Sequence, residues 1–202
     1  MSDALAPLDD VTAIVLAGGR STRFGRDKLV ATVHGRPLLH HAIEAVAAVA
    51  DQVLVVAAPA AEPPLPAALA ARIRVVHDPE AFGGPLVALA AALAAVETRV
   101  ALVVGGDMPS LARPVLRRLA ATVGPGRLAI GLEVPGRVQP LPMALDVGEA
   151  RRALAAVLER GERSLRALLA ELGAISIPAP VWLALDPAAA TIADIDRPTD
   201  LG

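Results

Sequence analysis

The chain has 202 residues, of which 54% are apolar and 1% aromatic, and its formal net charge is −2. This length predicts one domain with a sizeable core of aliphatic side chains, and the small net charge gives no reason to expect nucleic acid or a membrane surface as a partner. Because the chain has no cysteine, disulfides, thiolate catalysis and cysteine-ligated metal are excluded.

Strand-like and helix-like segments alternate through residues 11–122. Short continuous apolar runs predict buried strands at residues 11–17, 52–57, 73–77 and 100–104. The spacing of apolar residues predicts helices at residues 38–50, 67–72, 86–96 and 114–122. This alternation is typical of an α/β fold in which helices cover both faces of a largely parallel sheet.

The pattern changes in the later part of the chain. We expect strands at residues 128–133, 138–146 and 174–178, and helices at residues 148–160 and 164–172. Ser164 is the expected N-cap of the second of these helices. Pro140 and Pro142 favour an edge strand or an irregular stretch, because proline cannot donate to a sheet ladder. Arg151 and Arg152 are expected to belong to a solvated helix face.

Neither export nor membrane insertion is expected from the sequence. Residues 1–10 are polar and acidic and lack the features of a signal peptide. Every apolar stretch of about 18 residues, the length that a membrane span needs, is interrupted by charge, proline or glycine. A cytoplasmic location is therefore expected.

The most informative stretch follows the first predicted strand, whose apolar run ends at Gly18 and Gly19. Arg20, Arg23 and Lys28 come next, and the backbone N–H groups and cationic side chains of such a loop favour an anion such as phosphate. The spacing differs from that of a Walker A loop and from that of the dinucleotide-binding fingerprint. Lys28 is the only lysine among 19 basic residues, which favours a site that needs a compact ammonium group.

Two aspartates follow later predicted strands. Asp78 comes directly after residues 73–77, and Asp107 comes after residues 100–104 and two glycines. Because ligands bind at the carboxyl ends of parallel strands, we expect both carboxylates to lie on the side of the basic loop. Asp107 could hold Mg²⁺, which favours one or two carboxylates plus substrate phosphates, or it could cap the following helix. Asp78 could bind a ligand or serve as a turn residue before Pro79.

The sequence LAGGRSTRFGRDK at residues 16–28 resembles the signature of the MobA-like nucleotidyltransferases, L-A-G-G-x-S-x-R-[MF]-G-x-x-K. That family has an aspartate before a Gly-Pro-Leu helix start, here residues 78–86, and a strand that ends in D-x-P, here residues 107–109. It has a basic G-x-R-S segment, here residues 161–164, and closes with a polar segment similar to residues 194–201. The motifs cover nearly the whole chain in the family's order.

The resemblance implies a Rossmann-like three-layer α/β/α fold of the nucleotide-diphospho-sugar transferase type, with a mostly parallel, partly mixed central sheet. It implies molybdenum cofactor guanylyl transfer, in which GMP passes from GTP to the terminal phosphate of a molybdopterin-type cofactor with Mg²⁺, leaving pyrophosphate. Molybdenum insertion enzymes or molybdoenzyme chaperones would then be candidate protein partners. We expect one domain, residues 1–202, with its nucleotide-binding part at residues 11–125 and its acceptor part at residues 126–202.

The resemblance also assigns roles to residues. Nucleotide contacts are expected from Leu16, Ala17, Gly18, Gly19, Arg20, Lys28, Asp78 and Asp107. Lys28 and Arg23 would meet the phosphates and Asp107 would bind Mg²⁺, so these three are the expected catalytic residues. Acceptor contacts are expected from Arg163, Ser164, Asp194 and Asp196. In this family glycine at position 18 goes with guanine and alanine goes with cytosine, so GTP is the expected donor.

The sequence departs from the family pattern in two places. The family often has an asparagine where the second strand ends, but residues 56–58 are Val-Ala-Ala, and Asp194 and Asp196 stand where the C-terminal asparagines are expected. The chain contains no asparagine at all. Three alternatives therefore stay open: cytidylyl transfer from CTP to the same cofactor, guanylyl transfer to phospholactate, and nucleotide binding without catalysis.

Overall fold

A computed structural model describes residues 6–18, 29, 31–80 and 83–195 of the chain. Nine strands are found there: β1 (Leu8–Leu16), β2 (Thr32–Val33), β3 (Arg36–Pro37), β4 (Ala50–Ala57), β5 (Ile73–His77), β6 (Val100–Gly105), β7 (Ala129–Val134), β8 (Arg137–Asp146) and β9 (Ile175–Ile177). Six α-helices accompany them: α1 (Leu38–Ala47), α2 (Pro85–Ala94), α3 (Arg113–Thr122), α4 (Val147–Glu159), α5 (Leu165–Glu171) and α6 (Ala179–Leu183). Short 3₁₀ helices span Ala67–Arg72 and Ala190–Ile192. Among the helices just named, none is long and apolar enough to cross a membrane.

Seven strands form one sheet in the order β5-β4-β1-β6-β8-β7-β9, while β2 and β3 form a separate antiparallel pair. All neighbours in the large sheet run parallel except at β8, which is antiparallel to both β6 and β7. The predicted α/β fold with a mostly parallel, partly mixed sheet is therefore confirmed. The strand order reverses between β1 and β6, and in such sheets a crevice opens at the carboxyl ends of the strands on either side of that reversal.

The sheet separates two aliphatic cores, one on each face. Successive side chains of β1 alternate between them, so that Ala13 and Val15 pack with α1 and α3 while Ile14 packs with α2, α4 and α5. All three side chains are fully buried. Helices therefore cover both faces, as the alternating sequence pattern predicts.

Local signals fix where several helices begin. Pro85 is the first residue of α2, and Gly84 before it has a φ of 94°, which glycine adopts without strain. The Ser164 side chain accepts a hydrogen bond from the Ala167 N–H at 3.2 Å, which confirms it as the N-cap of α5. Both starts lie where the sequence predicts them.

The two prolines of β8 lie in an irregular stretch, as expected, but the strand is not at an edge. Ile130 of β7 pairs with Ala144 and Leu132 pairs with Gln139, so residues 140–143 bulge opposite Gly131. A Cβ at Gly131 would come within 2.8 Å of the Gln139 carbonyl oxygen. An interior strand accommodates Pro140 and Pro142 because its ladder is already interrupted at those positions.

Arg151 is exposed, as expected for a solvated helix face, but its side chain also makes contacts that the sequence does not predict. Its guanidinium donates to the Leu93 carbonyl at 2.9 and 2.6 Å and to the Val96 carbonyl at 2.6 Å. These carbonyls end α2, where a cation also meets the negative end of the helix dipole. Arg152, one residue on, forms an exposed ion pair with Glu149.

We expect Arg151→Ala to lower the free energy of unfolding by about 1–3 kcal/mol, because it leaves the last carbonyls of α2 without their charged donor. The matched change Arg152→Ala removes only a surface ion pair and should cost less than about 1 kcal/mol. Urea denaturation of both variants measures the difference. Equal losses in the two variants would show that the cap contributes nothing beyond the surface pair.

Candidate active site

The carboxyl ends of four parallel strands lie in one line at the crevice. The strand registers place Gly105 beside Leu16, Leu16 beside Val56, and Val56 beside Val76. The residues that follow these positions leave the sheet together, and they include Ala17, Gly18, Asp78 and Asp107. The expected gathering of sequence motifs at one edge of the sheet is what the strand order produces.

A close backbone contact joins the ends of β1 and β6. The Gly106 N–H donates to the Leu16 carbonyl at 2.9 Å. A Cβ at Gly106 would lie 3.0 Å from Leu39 Cδ1 and 3.3 Å from the Leu16 oxygen. Any larger residue at position 106 would be tightly packed, and this close approach places the residues after β6 directly beside those at the end of β1.

The first three residues of the signature lie at this junction and are accessible. Leu16 and Ala17 are half-buried and Gly18 is exposed. The Ala17 N–H donates to the Val56 carbonyl at 2.8 Å, which ties the end of β1 to β4. A Cβ at Gly18 would meet nothing closer than the Ala58 nitrogen, at 3.8 Å. Packing in the described residues leaves room for a side chain at position 18, so the fold itself does not require this glycine.

Asp107 lies beside the junction and does not cap the following helix. α3 begins at Arg113, its N-cap position is Ala112, and no side chain caps it. The alternative in which Asp107 caps the following helix is therefore wrong. The carboxylate turns back over the end of β6, where a Cβ at Gly105 would be 2.5 Å from Asp107 Oδ1. The residue is half-buried, so it remains accessible from the crevice.

Asp78 is buried, with 8% of its surface exposed, and it has a turn role. One carboxylate oxygen accepts from the Glu80 N–H at 3.0 Å, which is an Asx-type turn. β5 lies two strands from β1 and three from β6, so at about 4.8 Å per strand the ends of β5 and β6 are about 14 Å apart. Asp78 and Asp107 therefore cannot share one metal ion, although both can contact one extended ligand.

Arg163 and Ser164 come to the sheet from the face covered by α2, α4 and α5. Ser164 is occupied in capping α5, and its side chain and that of Arg163 are exposed. A Cβ at Gly84 would lie 3.3 Å from Arg163 Cβ, so Arg163 sits at the start of α2, just after β5. It is therefore next to the loop that carries Asp78.

Asp194 comes from the opposite face. The next residue, Ile195, packs against Leu38 of α1 and donates its N–H to the Asp107 carbonyl at 3.0 Å. Asp194 is exposed and lies beside the loop after β6. The residues predicted to meet the acceptor thus flank the crevice from its two sides and do not form one cluster.

The other predicted site residues lie outside the residues that the structure describes: Gly19, Arg20, Arg23, Lys28 and Asp196. The residues on either side of the basic loop are described. Gly18 begins it at the junction, and Leu29 and Ala31 end it, buried to 9% and 2% exposure. Within the described ranges no group of three or more His, Cys, Asp or Glu side chains is placed to hold a metal ion.

Gly106, the second of the two glycines before Asp107, lies at the site as the sequence predicts. Sequence reasoning missed two other residues that shape this site. Thr191 is fully buried and its hydroxyl accepts from the Ala112 N–H at 3.0 Å, while Ile195 bonds the Asp107 backbone. The one local signal for Ile195 is its apolar side chain between two aspartates.

Known proteins resemble this chain in sequence and in fold. A family model described as MobA-like NTP transferase domain matches residues 13–175. A probable molybdenum cofactor guanylyltransferase of Chloroflexus aggregans is 33% identical over 197 residues, covering 95% of this chain and 91% of that protein. A molybdenum cofactor guanylyltransferase of Burkholderia vietnamiensis is 33% identical over 164 residues, 78% of this chain and 80% of that one.

Two solved structures share the fold. The molybdopterin-guanine dinucleotide biosynthesis protein A of Archaeoglobus fulgidus superposes with a TM-score of 0.76 at 22% identity, covering 94% of both chains. The 2-C-methyl-D-erythritol 4-phosphate cytidylyltransferase of Thermus thermophilus has a TM-score of 0.68 at 22% identity, over 93% of this chain and 94% of that one. At these identities the likeness establishes the fold, which is that of the nucleotide-diphospho-sugar transferases, as predicted. With the family match over residues 13–175, it follows that the chain belongs to the MobA-like NTP transferase family and is a nucleotidyltransferase.

Proposed function

We propose that this enzyme transfers GMP from GTP to the terminal phosphate of a molybdopterin-type cofactor, with or without bound molybdenum. An oxygen of the acceptor phosphate forms a bond to the α-phosphorus of GTP. The bond from that phosphorus to the α–β bridging oxygen breaks, so pyrophosphate leaves and the guanine dinucleotide cofactor is formed. The observation that carries the proposal is the junction of β1 and β6, which brings the backbone of Leu16 and Ala17 beside the loop that carries Asp107.

The donor base is assigned to the backbone of residues 16–18. These residues are accessible at the crevice, and a Cβ placed on Gly18 would still be 3.8 Å from its nearest neighbour, the Ala58 nitrogen. Because no described residue crowds position 18, the space beside Gly18 is available to a bound nucleotide base. The guanylyltransferase names of the Chloroflexus and Burkholderia relatives support guanine over cytosine.

The phosphates are assigned to the basic loop. It leaves the sheet at Gly18 and returns at Leu29, whose side chain packs in the core on the α1 and α3 side. Lys28 is thus covalently next to a buried anchor, and Arg20 and Arg23 lie within the same loop. Nucleotidyl transfer asks the protein mainly for positioning and for charge near the departing pyrophosphate, which these cations supply. The acceptor phosphate is itself nucleophilic, so no strong general base is needed.

Asp107 fits the metal that such transfer requires. Its carboxylate is a hard oxygen donor, accessible at the crevice, and Mg²⁺ is commonly held by one or two carboxylates plus substrate phosphates. When bound, Mg²⁺ would supply charge neutralisation on the triphosphate. The role of Asp107 is to hold such an ion at the end of β6. Asp78, about 14 Å away across the strand ends, is assigned to the nucleoside.

The acceptor is assigned to the two sides of the crevice. Arg163 is exposed beside the start of α2, where a guanidinium can bind a phosphate of the cofactor. Asp194 is exposed on the other side, beside the Asp107 loop, and Asp196 follows it in the sequence. The Ser164 oxygen accepts a hydrogen bond in the cap of α5, so its contact with a phosphate of the acceptor would use its O–H as the donor.

We expect Lys28→Ala to lower turnover at least about tenfold without unfolding the protein, because one charge-assisted contact to a phosphate is worth about 1.5–3 kcal/mol. Pyrophosphate release with GTP and molybdopterin measures turnover, and thermal melting checks the fold. Lys28→Arg is the matched variant: it keeps the charge but changes its shape, so a partial loss is expected. Near-normal activity of Lys28→Ala would remove this residue from the phosphate site.

Asp107→Ala should reduce Mg²⁺-dependent turnover to background, because the protein loses its carboxylate ligand at the end of β6. Asp107→Asn keeps the shape and one oxygen and should retain a small activity that needs more Mg²⁺. Titration of Mg²⁺ against pyrophosphate release distinguishes the variants. If the Mg²⁺ dependence of Asp107→Ala equals that of the wild type and only its melting temperature falls, the residue is structural.

Gly18→Ala tests the base. The added methyl group has room in the fold but narrows the approach of a purine, so we expect kcat/KM for GTP relative to CTP to fall at least about tenfold. Pyrophosphate release with each nucleotide gives this ratio. Gly148→Ala in α4, where a Cβ would be 3.5 Å from Asp146, is the control and should leave the ratio unchanged. If the wild-type enzyme has a higher kcat/KM for CTP than for GTP, CTP replaces GTP as the proposed donor.

A further inference from the structure

The C-terminal segment (residues 186–195) forms hydrogen bonds with both ends of the loop between β6 and α3. That loop, residues 106–112, carries Asp107. At its start the Gly106 N–H donates to the Leu16 carbonyl at 2.9 Å, and the next bonds are longer or weaker: the Met108 N–H reaches the Gly105 carbonyl at 3.4 Å, and the Gly105 N–H points to the Met108 thioether sulfur, a poor acceptor, at 3.3 Å. The segment that packs against residues 107–112 therefore contributes to their position.

The first hydrogen bond is at the end of the loop that precedes α3. The Thr191 hydroxyl accepts from the Ala112 N–H at 3.0 Å, and Ala112 is the residue before α3. The Thr191 N–H in turn donates to Asp186 Oδ2 at 2.7 Å. Thr191 is completely buried and Asp186 is 7% exposed, so both bonds are shielded from water.

The second hydrogen bond is to the backbone of Asp107. The Ile195 N–H donates to the Asp107 carbonyl at 3.0 Å. The Ile195 side chain, 5% exposed, forms a small separate core with Ala31, Val33 and Leu38. Ala31 comes three residues after Lys28 in the sequence. One residue thus holds the backbone of Asp107 and packs on the segment where the basic loop returns.

The geometry points to Thr191 and Ile195 as positioning residues that hold Asp107 in place before any ligand arrives. This inference rests on the proposed function, in which Asp107 is the Mg²⁺ ligand. A carboxylate that is to meet a metal ion in a fixed geometry needs its backbone held, and beyond Gly106 the bonds from Ile195 to Asp107 and from Ala112 to Thr191 hold this loop. Ile195 thus links the Asp107 backbone to Ala31, Val33 and Leu38, the residues that follow the basic loop in the sequence.

The test compares Thr191→Val with Thr191→Ser and Thr98→Val. Valine keeps the volume of Thr191 but leaves the Ala112 N–H without its acceptor, whereas serine keeps the hydroxyl. Thr98 is the matched control, because its hydroxyl lies 2.8 Å from that of buried Thr12 at the amino end of β6, remote from Asp107. Thr98→Val therefore removes a hydroxyl hydrogen bond at the amino end of β6, whereas Asp107 follows the carboxyl end of β6.

Two measurements report on how firmly the loop that carries Asp107 is held. Amide hydrogen exchange of residues 105–112 needs neither metal nor substrate, and we expect it to be about fivefold faster in Thr191→Val, near wild-type in Thr191→Ser, and unchanged there in Thr98→Val. The Mg²⁺ concentration for half-maximal turnover should rise about fivefold in Thr191→Val alone. Equal behaviour of Thr191→Val and Thr98→Val in both measurements would overturn the inference.

Ile195→Ala provides a second route if Thr191→Val does not fold. It removes the packing on Ala31, Val33 and Leu38 while the backbone N–H stays, and we expect faster exchange of residues 105–112 and a higher Mg²⁺ requirement. Ile195→Val, which keeps most of the volume, should restore both. If no nucleotide supports turnover of the wild type, the proposed function fails, and the exchange measurement by itself still decides whether the segment holds the loop.

Discussion

The backbone of Gly106 packs directly on that of Leu16 and Ala17, and the rest of the site depends on this contact. The hydrogen bond from Gly106 to Leu16 closes the gap between β1 and β6 at the point where the strand order reverses. A side chain at position 106 would be tightly packed against Leu39 and the β1 backbone. Because the two strands end side by side, the signature loop and the Asp107 loop leave the sheet from the same place and can act on one ligand.

The sheet also spaces the other contacts. Strands about 4.8 Å apart put the ends of β5, β4, β1 and β6 in a row, with Asp78 at one end and Asp107 at the other. Such a row suits a ligand that is extended and charged, as a nucleoside triphosphate is. The aliphatic cores on the two faces of the sheet keep the row rigid, which explains how a chain with almost no aromatic side chains can build a defined site.

The C-terminal segment completes the site from a distance in sequence. Ile195 joins the Asp107 loop to the residues that follow the signature, and Thr191 fixes the start of α3. On the other face, Arg163 packs against Gly84 at the start of α2. The later part of the chain therefore helps to determine where residues of the earlier part are held.

Apolar periodicity and glycine-rich turns are local signals, so the sequence sufficed for the layered fold and for most strands and helices of the large sheet and its two faces, but not for α6 (Ala179–Leu183). Only the tertiary structure decided that β8 lies inside the sheet despite Pro140 and Pro142, because its irregular stretch is matched by Gly131 on β7. It also decided that Asp107 is no helix cap, because α3 begins at Arg113. The link between Thr191 and the Asp107 loop joins residues about 80 positions apart, and no local pattern in a sequence encodes a contact over that separation.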